Sequence, residues 1–133
     1  MIFVDTSAIV AMLAAERDGP AFADKLEQSR ERITSGHVLL EASMRLSTLL
    51  DLTPTVADSL ITRLLREIGI AVAPITEEIA HLSVEAVERY GKGRGHAASL
   101  NFGDCLSYAC AKAHGAKLLF KGKDFAKTDI AKA

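Results

Sequence analysis

The sequence predicts an α/β domain built on a central parallel sheet of about four or five short strands flanked by helices. Three observations predict it. Short strand-like runs at residues 2–4, 32–35, 70–73 and 117–120 alternate with segments of helical periodicity. Strands separated by helices favour a parallel sheet covered on both faces. The 133 residues, 14.2 kDa, contain no linker, repeat or biased segment, so residues 1–133 form a single domain long enough to bury its own core.

Taken in order, Ile2, Phe3 and Val4 form an apolar run that ends at Asp5, and Thr6 and Ser7 follow as capping residues for a helix over 8–15. Gly19 and Pro20 restart the chain, and residues 21–30 carry Phe22 and Leu26 among the charges of a surface helix. Residues 32–35 form a second strand. From residue 37 to about residue 52, Val38, Leu39, Ala42, Leu46, Leu49 and Leu50 gather on one side at helical spacing. Thr53 caps the next helix, Pro54 suits its first turn, and Val56, Leu60, Leu64 and Ile68 repeat every fourth residue, which makes a helical hairpin. A strand over 70–73 precedes Pro74. Thr76, Glu78 and Ile79 then open a helix that runs to about Tyr90, where the 91–95 glycine segment breaks it. Asn101 caps a helix over 102–114, Gly115 ends it, and a last strand follows.

Composition narrows the classes. Hydrophobic residues make up 49% and charged residues 25%, which excludes a disordered or low-complexity chain. No apolar run approaches a bilayer span, and the start lacks the pattern of a signal peptide, so a cytoplasmic protein with no membrane partner is expected. Cys105 and Cys110 are too few for a Cys-rich zinc site and fall on nearly opposite faces of one helix, so they read as small buried residues. A net charge of −1 argues against a surface that grips nucleic acid all over, but leaves room for a local basic rim.

In parallel sheets ligands collect beyond the carboxyl ends of the strands, and Asp5 lies at one such end. It reads equally as a turn or capping residue. Asp104 is the only charged residue from Phe102 through Ala111, inside a helix whose composition marks it as largely buried. Its spacing from Asn101 is that of a capping box, so the helix end explains it as well as a site does. Glu41 sits off the apolar stripe with Arg45 four residues on, the spacing of an exposed ion pair, and local evidence favours that surface reading. There is no dinucleotide fingerprint, phosphate loop or nucleophile elbow. His37, His81, His96 and His114 lack zinc-ligand spacing and read as surface or packing residues.

Four segments in order carry a resemblance: VDTSAIVAML at the start, LLEAS around Glu41, GKGRGHAASLNFGDCLSYACAKA around Asp104, and LLFKGKDFAKTDI near the end. Together they resemble a PIN-domain ribonuclease of the VapC toxin type over nearly the whole chain. The resemblance implies a PIN-like fold and a metal-dependent endoribonuclease, the toxin of a VapBC-type toxin-antitoxin pair. It implies that Asp5 and Asp104 are metal ligands, that Glu41 completes the acidic pocket directly or through a water, and that Asp124 is the candidate fourth acid. The family usually shows two adjacent aspartates before the Phe, where this chain has Lys123 and Asp124. Thr6, Ser7 and Asn101 match polar residues that position groups in the pocket.

Clustered carboxylates repel unless a divalent cation neutralises them, and hard oxygen ligands suit Mg²⁺ or Mn²⁺. Such an ion lowers the pKa of a water and offsets charge on the phosphate, and the resemblance implies RNA products with a 5′-phosphate and a 3′-hydroxyl. Lys92, Arg94, Lys121, Lys123 and Lys127 flank the last two motifs and are candidates for RNA contact. The family also implies a homodimer and a VapB-type antitoxin that sets an arginine into the acidic pocket. The alternative is a PIN-like module that binds RNA or a partner without cutting. A receiver-type signalling domain would need an adjacent acidic pair and a phosphorylatable mid-sheet Asp, and the sequence has neither.

Overall fold

A computed structural model describes residues 1–133. Four strands, β1 (Ile2–Val4), β2 (Arg32–Ser35), β3 (Ala71–Ala73) and β4 (Lys117–Leu119), form one sheet in the order β3-β2-β1-β4. Every pairing is parallel. The helices are α1 (Thr6–Leu13), α2 (Gly19–Gln28), α3 (Gly36–Leu49), α4 (Pro54–Ile68), α5 (Glu77–Tyr90) and α6 (Phe102–Ala113), and a 3₁₀ turn spans Phe125–Lys127. The α/β class and the parallel sheet stand as the sequence predicts, with four strands.

The helix boundaries differ from the expected ones at α1, α2 and α3. The first helix begins at Thr6 because the Asp5 carboxylate, rather than Thr6 or Ser7, caps it by accepting the Ser7 N–H. It stops at Leu13, ahead of Ala15 at a φ of 52°. The second helix starts at Gly19, two residues early, with Pro20 in its first turn. The hairpin forms as α3 and α4, with Thr53 accepting the Val56 N–H and Gly69 closing α4 at a φ of 77°. The first arm ends at Leu49.

Chain order in the sheet creates the site. From β1 the chain steps outward to β2 and β3, then crosses back to lay β4 on the other side of β1. Right-handed crossovers place the helices of the outward steps on one face and those of the return on the other. Packing agrees: α1 rests on α2, α3 and α4, whereas α5 rests on α6 and α6 on β1 and β4. The core is a single cluster of 32 buried hydrophobic residues, in which Phe3, Val4, Leu118 and Leu119 are fully enclosed. The reversal between β1 and β4 is a topological switch point, where the loops part and leave a crevice at the strands' carboxyl ends. Val4 pairs with Leu119, so Asp5 and Phe120 leave the sheet side by side, with Lys121 one residue on.

Candidate active site

The crevice is a polar cleft of about 240 Å³ lined by Asp5, Thr6, Ser7, Glu41, Arg45, Asn101, Asp104, Lys121, Gly122, Lys123, Asp124 and Phe125. All four acids and all three positioning residues singled out in the sequence meet here, from four separate parts of the chain.

Asp5 is 3% exposed, a buried carboxylate at the end of β1. Its Oδ2 accepts the Ser7 N–H at 3.0 Å and the Ser7 hydroxyl at 2.7 Å, and no hydrogen bond reaches Oδ1. The Ser7 hydroxyl oxygen in turn accepts the Lys121 N–H at 2.9 Å, tying the exit of β1 to that of β4. Asp104 forms the capping box with Asn101: its N–H donates to Asn101 Oδ1 at 2.8 Å and its Oδ2 accepts the Asn101 N–H at 3.1 Å. Asp104 therefore caps the helix through one oxygen and leaves the other to the cleft. Burial raises the Asp104 carboxyl to about 6, against the Asn101 hydrogen bond, with Asp5, Glu41 and Asp124 adding repulsion.

Glu41 corrects the surface reading. It makes no ion pair with Arg45; Oε1 accepts a short hydrogen bond from the Thr6 hydroxyl, and Oε2 lies against the backbone of Gly103. Burial pushes its carboxyl above the ordinary value, opposed by the Thr6 hydrogen bond and reinforced by Asp5. Helical periodicity misjudged it because α3 crosses onto α6, a contact that no local pattern encodes. Asp124 stands on the cleft wall and repels Asp104; Phe125, 4% exposed and packed on Phe120 with ring centroids 5.1 Å apart, anchors its loop.

The basic candidates separate. Lys123 lines the cleft and makes no ion pair. Lys121 also lines it, and its ammonium pairs with Glu16 at 3.0 Å and Asp18 at 3.8 Å. Lys92 and Arg94 lie outside the cleft on an exposed loop that is pinned where Lys92 N–H donates to Leu100 O at 2.8 Å, next to Asn101. Lys127 donates to Ala97 O of the same loop. His37 is a packing residue, stacked on Phe3 and bonded through Nε2 to the Ser107 hydroxyl at 2.9 Å; burial lowers its pKa. Both cysteines are buried and free, as expected.

Two site residues escaped the sequence reading. A Cβ on Gly103 would stand 2.8 Å from Glu41 Cδ, so only glycine admits that carboxylate. The available signal was a glycine inside a helix, which costs about 1 kcal/mol relative to alanine and calls for a reason. Arg45 is the other: exposed, free of any ion pair, and at the cleft's edge.

A family model described as the PIN domain matches residues 2–131. Over 132 residues the chain is 42% identical to the VapC ribonuclease Mb0625 of Mycobacterium bovis, an alignment covering 99% of this chain and 97% of that one. Ribonuclease VapC28 of Mycobacterium tuberculosis matches with the same identity and coverage. The chain belongs to the PIN-domain family of VapC ribonucleases. Solved structures show the same PIN fold. The crystal structure of Mycobacterium tuberculosis VapC20, described as a sarcin-ricin loop cleaving toxin, aligns with a TM-score of 0.76 at 19% identity over 100% of this chain and 98% of that one. A toxin-antitoxin complex from Klebsiella pneumoniae contains a chain that aligns at 0.67, also at 19% identity, over 95% and 91%. No helix is long and apolar enough to cross a membrane.

As the side chains stand, no group of three acidic, histidine or cysteine residues is arranged to enclose a metal ion. The donor chemistry fits a hard divalent cation nonetheless: Asp5 and Asp104, each with a carboxylate oxygen that has no hydrogen-bond partner, line a polar cleft, and such a cation can keep most of its water while binding one or two carboxylates.

Proposed function

We propose that the chain is a metal-dependent endoribonuclease, the toxin of a VapBC-type pair, which hydrolyses RNA phosphodiester bonds in this cleft. The observation that carries this reading is the convergence of Asp5, Glu41, Asp104 and Asp124 at the switch point, none of them in an ion pair. The ribonuclease names of relatives at 42% identity supply the reaction class. Asp5 and Asp104, with Glu41 beside them, would hold Mg²⁺ or Mn²⁺, which when bound supplies the charge that acidifies water and offsets the phosphate.

The chain's own residues do the rest. Ser7 and Asn101 fix two of the carboxylates, and Thr6 fixes the third, so their free oxygens are aimed before substrate arrives. Glu41, which lines the cleft beside Asp5 and Asp104, is placed to take a proton from the attacking water. The water oxygen bonds to phosphorus as the bond to the 3′-oxygen breaks, leaving a 3′-hydroxyl and a 5′-phosphate. Lys123, Lys92 and Arg94 meet the phosphate backbone. The protein works in the cytoplasm as a homodimer, and its antitoxin silences it by forking an arginine onto the acids, a geometry a guanidinium makes without losing its proton.

Incubation of the purified protein with a total RNA pool tests this. Cleavage should require Mg²⁺ or Mn²⁺, stop with chelator, and vanish in both Asp5→Asn and Asp104→Asn. Undiminished cleavage by both variants would place the chemistry elsewhere, and binding without any cleavage would leave a PIN-like module that does not cut.

A further inference from the structure

Phe102 has no explanation in the fold. No other phenylalanine or tyrosine is more than 8% exposed, and the chain has no tryptophan, yet Phe102 is 84% exposed. Its position is fixed all the same, because it is the first residue of α6, between the Asn101 cap and the Gly103 that touches Glu41. The cleft beside it has a polar lining, with the buried Phe125 as its one hydrophobic member, so the cleft offers a phosphate much and a base nothing. Exposed cations without ion pairs occur in the neighbouring segments: Arg45 and Lys123 line the cleft that Asn101 also lines, and Lys92 and Arg94 lie on the loop pinned at Leu100. An exposed aromatic ring beside a phosphodiester-cleaving cleft, with unpaired cations in the cleft lining and on the nearby loop, is a combination by which proteins hold single-stranded nucleic acid.

We propose that Phe102 is a stacking platform for the base of a nucleotide next to the scissile phosphate. It rests on the nuclease reading of the cleft and adds the means by which the strand is placed there. Stacking is tolerant of base identity, so Phe102 sets the position of an unpaired nucleotide and favours looped or single-stranded RNA over a continuous duplex.

Phe102→Trp, Phe102→Tyr and Phe102→Leu, assayed on a short RNA spanning a site mapped from the total pool, test this together with light-scattering masses. Leucine keeps apolar bulk and loses the ring, so it should raise KM by about 5- to 100-fold with kcat largely kept, whereas Tyr and Trp should cleave nearly as the wild type does. The Trp variant carries the chain's sole tryptophan, and its emission should be quenched saturably by single-stranded RNA and far less by duplex. Cleavage by the Leu variant equal to that of the wild type, or Trp emission indifferent to RNA, overturns the inference and leaves the nuclease reading intact. A Leu variant whose mass falls together with its activity also overturns it, by making Phe102 part of a contact between copies alongside the exposed Leu40 and Met44. A wild type that cleaves no RNA overturns both readings.

Discussion

Thr6 and Gly103 decide where the Glu41 carboxylate stands and how readily it ionises. The Thr6 hydroxyl bonds to the charged form and so holds down a pKa that burial has raised. Thr6→Val should therefore move the Glu41 carboxyl further up, and the acid limb of the pH profile of kcat/KM should shift to higher pH, with Thr6→Ser restoring it. Gly103→Ala separates activity from stability. The added methyl meets the far end of a flexible side chain, which yields cheaply, and alanine favours the helix by up to about 1 kcal/mol. Melting should be unchanged or slightly higher while cleavage drops on the order of 100-fold, because the proposed site needs the Glu41 carboxylate in place. At this scale local pattern raised Asp5 and Asp104 without deciding between cap and site, and only the family motifs put Glu41 in the pocket. Gly103 and Arg45 went unmarked as site residues because no local pattern encodes where α3 meets α6.

Helix α6 carries an acid that its own end wants and its neighbours do not. The Asp104 carboxyl rises from 3.8 to about 6, chiefly through burial. Its folded pKa lies above its unfolded one, so between these values the folded state binds more protons, and stability falls as pH rises through the window. In chelator, the wild type should lose stability from about pH 4 to about pH 6 more steeply than Asp104→Asn. The variant's amide oxygen can still accept the Asn101 N–H, so the cap survives and the charge alone is removed. Thermal melts across that range measure the difference, and parallel curves would assign the shift to nothing in this helix. Element types were legible because periodicity and Pro, Gly and Thr punctuation are local. Ends slipped by one to three residues at α1, α2 and α3, whereas α4, α5 and α6 begin directly behind their Thr53, Thr76 and Asn101 side-chain caps, as expected.

Across the whole molecule, the strand order β3-β2-β1-β4 turns scattered acids into a site. Strand pairing joins residues far apart in sequence, as Val4 joins Leu119, so the order was not readable from local pattern. The family motifs anticipated what that order assembles. The central claim is that the acids repel one another until a divalent ion joins them across elements, and melting of the wild type and Asp104→Asn with chelator and with millimolar Mg²⁺ tests it most directly. A ligand that binds only the folded state raises the unfolding temperature by mass action. The account predicts that the variant is at least as stable as the wild type in chelator, and that Mg²⁺ stabilises the wild type alone. A variant less stable by roughly 0.3 to 1 kcal/mol with or without the ion would contradict it, returning Asp104 to a helix-end role and dissolving the metal site.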